Sequence, residues 1–305
     1  MSNNVADSNR WLVRLGFGAG YIILTIWAVI SLLPLYWIFT TSFQLAKEVF
    51  NVPPSFVPQA LREIFPLVLG GQFGAAGDLL REATKESYSY LFMSTEMPRW
   101  LLNSAMVSAF ATVSILFLDS MAAYSFAKKR YPGRDILFWI MISTMMIPGQ
   151  VTLVPMFILA GNLGMVNSLW AVILPPLSMV FGVFLLRQFM LTIPSELLDA
   201  GRIDGAGEFA LYWRVILPLA KPGLATLGIL TFMAVWNSFL WPLIVLNSNS
   251  MYTLPVGLKT LQDKNLASYA LLMSGAAIAA VPMIAVFLAF QRYFVKGLTM
   301  GSIKG

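Results

Sequence analysis

Six apolar runs limit what this chain can fold into. They lie at 15–38, 102–126, 136–159, 168–190, 223–246 and 270–293. Each is close to the length a helix needs to cross about 30 Å of hydrocarbon. Lipid offers the backbone no hydrogen-bond partners, so runs of this length must be helices that satisfy their own N–H and C=O groups. The expected fold class is an all-α membrane protein with six transmembrane helices. Composition agrees: 58% of the 305 residues are hydrophobic and only 11% are charged, where a soluble domain carries roughly 25% charged residues. The first run is longer than a signal-peptide core and lacks a small-residue cleavage site, so it is expected to be retained as a span.

Charge placement orients the runs. The net charge of +6 has no soluble basic face to sit on, which argues against nucleic acid as a partner and for a topology signal in the lipid bilayer. Lys128, Lys129, Arg130 and Arg134 fill the loop after the second run, whereas the loop at 161–168, GNLGMVNS, has no charge. Arg10 and Arg14 precede the first run, Arg187, Arg202, Arg214 and Lys221 accompany the loop after the fourth, and Arg292, Lys296 and Lys304 follow the last. Putting these groups inside gives a cytoplasmic N-terminus at 1–14, a first span at 15–38 and an extracytoplasmic loop at 39–101. A five-helix core then covers 102–293, including a cytoplasmic loop at 191–222, and 294–305 forms a cytoplasmic tail. The long outer loop mixes both charge signs and holds Pro53 and Pro54. Leu79, Leu80 and Ala83 predict a short amphipathic helix over 78–86 within it. Pro148, Pro155, Pro175, Pro176, Gly182 and Pro282 interrupt the spans, as either pathway-lining bends or ordinary packing kinks.

Catalytic chemistry has little to work with. There are no cysteines and no histidines, which removes thiolates, disulfides, the usual proton shuttle and the common zinc ligands. No phosphate-binding Gly-rich loop is present either, so no metal site, catalytic residue or bound cofactor is expected in this chain. Inside the spans, Asp119 is the one acid. It stands nine residues before Lys128, within reach of a basic partner or water at the inner side. With Asn103, Trp236 and Asn237 it completes a short set of pathway candidates.

The stretch from Ser195 to Pro218 is different in kind. It is polar and helix-like between two apolar runs. Pro194 and Glu196 suit a helix's first turn, Gly205 and Gly207 break that helix, and a second one is expected from Glu208 to Leu217 with Pro218 stopping it. Glu196, Asp199 and Asp204 stand against the single Arg202, a balance unsuited to a lipid surface. Ala200 and Gly201 offer a small-residue patch for close approach. A knob of this kind is built to dock onto another protein.

Within that stretch the chain resembles the membrane-spanning subunits of binding-protein-dependent ABC importers, whose cytoplasmic loop carries a Glu-Ala-Ala motif, a glycine six residues on, and an Ile-x-Leu-Pro-like end. Asp199, Ala200 and Gly201 fall on the motif's first three positions, Asp204, Gly205 and Ala206 follow, and Val215, Ile216, Leu217 and Pro218 form the end. Asp for Glu and Gly for the second Ala are departures. Similar phrases extend the likeness to the second permease subunit of carbohydrate importers of the maltose type. They are TTSFQLAKEVF at 40–50, FAKKRYPGR at 126–134, MIPGQVTLVPMF at 146–157, FGVFLLRQFM at 181–190, WNSFLWPLIV at 236–245 and QRYFVKGLTMGSIKG at 291–305. Residues 64–98 have no match.

The resemblance implies a type I importer permease in the bacterial inner membrane. It would pair with a second, non-identical permease, two ATPase subunits and an extracytoplasmic solute-binding protein, with ATP and Mg held by the partner ATPases. Glu196, Asp199, Ala200, Gly201, Arg202, Asp204, Gly205 and Ala206 would form the ATPase-coupling segment. Gly301, Ser302, Ile303, Lys304 and Gly305 would form a second ATPase contact. The implied cargo is a sugar or oligosaccharide. A secondary transporter and a non-transporting membrane assembly subunit are the alternatives, although one off-centre Asp119 and no internal repeat suit an ion-coupled carrier poorly.

Overall fold

The computed structural model describes residues 3–44, 57, 59–85, 87–264 and 269–300, and every regular element among them is a helix. Lys47, Glu48, Pro53, Pro54, Glu86 and the tail contact at Gly301–Gly305 lie outside the described residues. The chain divides into two compact units, Met1–Ser94 with Asn265–Ile278, and Thr95–Lys264 with Ala279–Gly305.

In the first unit, α1 (Asn3–Thr41) takes in most of the polar leading segment as well as the first apolar run, and its stretch Phe17–Thr41 is long and apolar enough to span. Residues 59–93, after the first run, form more helix than their sequence suggests. α2 (Gln59–Leu69), α3 (Phe73–Lys85) and α4 (Ser87–Met93) follow in order. The helix expected from residue 78 is the latter part of α3, which starts more than a turn earlier at Phe73. Pro66 lies inside α2, which is why residue preferences alone leave that stretch unread. The turn after α1 is tied down: Tyr88 Oη donates to Ser42 Oγ (2.9 Å) and Ser274 Oγ donates to the Ser42 carbonyl (3.0 Å).

The second unit is built on α5 (Met97–Lys128), the second apolar run extended at both ends. Its buried stripe, which includes Asn103, Ser104, Val107, Ala111, Ile115, Asp119 and Ala123, recurs every three or four residues. Many of these side chains are small, which lets membrane helices approach closely. The third run is a broken span. α6 (Arg134–Ser143) passes through a 3-10 turn to Met146, and α7 (Gly149–Asn162) leaves at 96° to it. Pro148 caps α7 at the break; the residue before a proline avoids helical backbone, and Ile147 is extended. The fourth run is likewise divided, into α8 (Leu169–Ile173) and α9 (Val180–Leu191), with Pro175 and Pro176 between them.

After α9 the chain turns by 78° into α10 (Glu196–Ile203). α11 (Glu208–Leu211) then runs through a π-turn at Tyr212–Ile216 into α12 (Leu217–Leu219). Pro218 therefore does not stop the second knob helix. A wider π-turn precedes it, in which the Leu217 N–H bonds the Tyr212 carbonyl five residues back. The chain bends only at Ala220, by 76°, into α13 (Lys221–Trp236). The fifth run ends in a separate α14 (Leu240–Val245), and α15 (Leu254–Lys264) and α16 (Tyr269–Met300) complete the chain. α16 continues seven residues past the apolar run, into what its composition marks as tail. Among the described residues, three helices are long and apolar enough to cross a membrane unbroken, and the number reaches six if each of three bent pairs is one span.

Candidate functional site

The knob has an apolar root. Leu198, Leu211, Tyr212 and Ile216 share one buried cluster with Ile115, Ala123 and Tyr124 of α5, Val183, Leu186 and Met190 of α9, and Leu227 of α13. The two knob helices are thus held by the same core that joins α5, α9 and α13. Burying such side chains is worth about 1.5–3 kcal/mol each, so the root, rather than its surface charges, keeps the knob in place.

Its turn closes as sequence chemistry requires. Gly205 has φ +81°, a left-handed conformation that only glycine adopts without cost. The Ala206 N–H reaches the Gly201 carbonyl (2.9 Å) and the Gly205 N–H the Arg202 carbonyl (3.0 Å). This pair of bonds satisfies the carbonyls at the end of α10. Gly207 does different work: its backbone is extended and it simply precedes α11. At Gly201, a Cβ would stand 2.5 Å from Leu211 Cδ2, so the glycine that replaces the motif's alanine makes room for the buried Leu211.

Charged and polar groups also meet between the knob and the end of α5. Glu208 accepts a hydrogen bond from Tyr124 Oη (3.0 Å), forms an ion pair with Lys129 and lies 3.4 Å from an Arg202 Nη. Arg202 also pairs with Asp199 (2.7 Å), and the Lys129 ammonium sits over the Tyr124 ring. Burial, and then the positive charge of Arg202, holds the Lys129 ammonium below the ordinary lysine pKa. Tyr212 Oη and Ser120 Oγ share a 2.7 Å hydrogen bond, and Lys128 Nζ donates to the Ile193 carbonyl. Tyr124, Lys129, Glu208, Ser120 and Tyr212 were absent from the candidates read from sequence. The opposite charges of Lys129 and Glu208 were visible there, but not their proximity across about 80 residues of chain.

The outer face of the knob is open. Glu196, Asp199, Ala200, Arg202, Asp204 and Gly205 are exposed, and Gly201 and Ala206 are half-buried. Among them stand Ile203, 87% exposed, and the stacked rings of Phe209 and Trp213, 65% and 51% exposed with centroids 6.0 Å apart. All eight residues of the expected coupling segment therefore lie on one short protrusion with polar and apolar groups interleaved.

The four pathway candidates are not brought together as a set. Asn103 is buried and its Nδ2 donates to the carbonyls of Ser250 and Tyr252 (3.0 and 2.9 Å), closing the loop before α15 against α5. Trp236 is buried and donates to the Ala279 carbonyl (3.2 Å). Asn237 is exposed at the end of α13 and bonds back to Met233. Asp119 has no basic partner among the described residues. Its carboxylate accepts from Ser178 Oγ (2.7 Å) and the Met179 N–H (3.1 Å).

Residues 116–300 match the family described as binding-protein-dependent transport system inner membrane component. The chain is 38% identical over 263 residues to the arabinooligosaccharides transport system permease protein AraQ of Bacillus subtilis (strain 168), covering 82% of this chain and 94% of that one. It is 30% identical over 285 residues to the sn-glycerol-3-phosphate transport system permease protein UgpE of Yersinia enterocolitica, covering 91% and 94%. In fold it matches a chain of a bacterial ABC transporter involved in the import of the acidic polysaccharide alginate, with a TM-score of 0.74, 24% identity, and 92% and 97% of the two chains covered.

Proposed function

Because the chain belongs to the family of binding-protein-dependent transport system inner membrane components, we propose that the knob at 195–218 is where this ABC importer permease takes up force from an ATPase. The knob carries the reading. Its root is continuous with the core of α5, α9 and α13, and its outer face presents exposed Ile203, Phe209 and Trp213 among acidic and basic groups. A partner seated on that face can push on three spanning helices at once.

In this reading two ATPase chains hold ATP and Mg and bind below. A second permease completes the pathway, and a solute-binding protein delivers cargo from outside. The cargo is a sugar or oligosaccharide, supported by the relative named for arabinooligosaccharides; the relative named for sn-glycerol-3-phosphate extends the range to small phosphorylated polyols. Gly301–Gly305 makes a second ATPase contact. Asn237, exposed at the end of α13, is the sequence candidate whose position suits the pathway. Both termini and the knob face the cytoplasm, since the arginines and lysines around them follow the positive-inside rule.

Uptake by intact cells tests this. Import of an oligosaccharide substrate should survive collapse of the ion gradients and stop on ATP depletion. The reverse dependence would transfer the chain to ion-coupled transport. Because the chain has no cysteine, single cysteines at Asp204 and Asp78 report orientation. An impermeant reagent should label position 78 from outside and position 204 only after the membrane is opened.

A further inference from the structure

We propose that Asp119 and Lys128 of α5 clasp α9 at its two ends, so that α5 and α9 move as one body with the knob. Asp119 is fully buried within a spanning helix, where an acid is expensive and calls for a role. The break at Pro175 and Pro176 leaves the start of α9 without a preceding turn of helix, and the first N–H groups of any helix lack partners within it. The Asp119 carboxylate supplies one. It accepts from the N–H of Met179, the residue that caps α9, and from Ser178 Oγ beside it.

The site is shaped to receive this carboxylate. A Cβ on Gly182 would collide with it and would stand 3.1 Å from Leu227 Cδ2. Beyond the other end of α9, the Lys128 ammonium donates to the Ile193 carbonyl. An acid at the N-terminal end and a base at the C-terminal end both complement the helix dipole. Between the two, Ala123 of α5 shares one buried cluster with Val183 and Leu186 of α9, and Ile115, one turn before Asp119, belongs to the same cluster. From Val180 to Leu191 α9 is a rod of about 18 Å, and it leads directly into the knob. A rod gripped at both ends passes a push at the knob to α5; a rod gripped at one end can tilt and absorb it. Asp119 and Lys128 are thus positioning residues for the coupling step.

This inference rests on the importer reading, and the experiment separates the two. The complete transporter is reconstituted in liposomes with its binding protein, and uptake and ATP hydrolysis are measured together at equal amounts of assembled complex. Asp119→Leu and, independently, Lys128→Met should keep hydrolysis while uptake per ATP falls about five- to tenfold, the size of an ordinary coupling free energy. Asp119→Asn, which keeps an acceptor oxygen, should restore most of that ratio. Unchanged uptake per ATP in both variants would overturn the clasp. So would a defect confined to how much complex assembles, with both activities at wild-type level per assembled complex, because the pair would then serve folding alone. Wild-type complex with no ATP-driven uptake would overturn the importer reading and the clasp with it.

Discussion

At Gly201 a hydrogen in place of a methyl decides how closely α10 lies on α11, and other glycines of the second unit sort by the same test. Gly257 faces the indole ring of Trp100, a rigid group that cannot step aside, and Trp100 is itself fixed by its hydrogen bond to the Asn249 carbonyl (2.8 Å). Gly257→Ala should therefore destabilise the detergent-solubilised protein by about 1–3 kcal/mol, as overpacking does. Gly207→Ala meets open space at a backbone any residue adopts, and should leave the melting midpoint within experimental error of wild type. At Gly205 only the conformation matters, since nothing lies within 4 Å of a Cβ there. Gly205→Val should cost about 1–2 kcal/mol through the left-handed φ, and should loosen coupling without preventing insertion. Sequence alone pointed to the glycine turn, because a glycine between two charged helical stretches has few other uses. It could not reveal which glycines are held by space and which by φ, since that depends on residues distant in the chain.

Between elements, the join of knob to α5 was the least legible part of the site. The lysines at 128 and 129 read as a topology signal, yet one reaches the end of α9 and the other the start of α11. Glu208 receives Tyr124, Lys129 and Arg202 while remaining partly exposed, so each contact contributes little to stability, about 0–1 kcal/mol. What they do is join the start of α11 to Tyr124 of α5 and to Lys129 just beyond it. Glu208→Gln should leave expression and thermal stability nearly unchanged while lowering uptake per ATP. The exchange Lys129→Glu with Glu208→Lys should recover part of that loss. Equal coupling in wild type and Glu208→Gln would assign the knob's orientation to its apolar root alone. The π-turn before Pro218 belongs here too: sequence reasoning gave the proline its usual meaning as a stop, but Tyr212 and Ile216 are buried in the root, and that packing carries the helix through to Leu219.

For the whole molecule, hydropathy was enough to place six apolar runs, but not their continuity. Pro148 and the pair Pro175–Pro176 stand in stretches as apolar as their surroundings, so composition continues across a 96° bend that the backbone cannot pass straight through. The segment after the first run was legible only in part: the helix expected over 78–86 is the latter part of α3, whereas α2 carries Pro66, which residue preferences read against a helix. The spans, the knob and the family resemblance together nonetheless defined a permease that must work with other chains. The most direct test is to solubilise intact membranes gently, purify this chain from its native source and identify what accompanies it. The account predicts recovery of an ATPase, a second permease of the same family and a solute-binding protein. Recovery of this chain alone would contradict it.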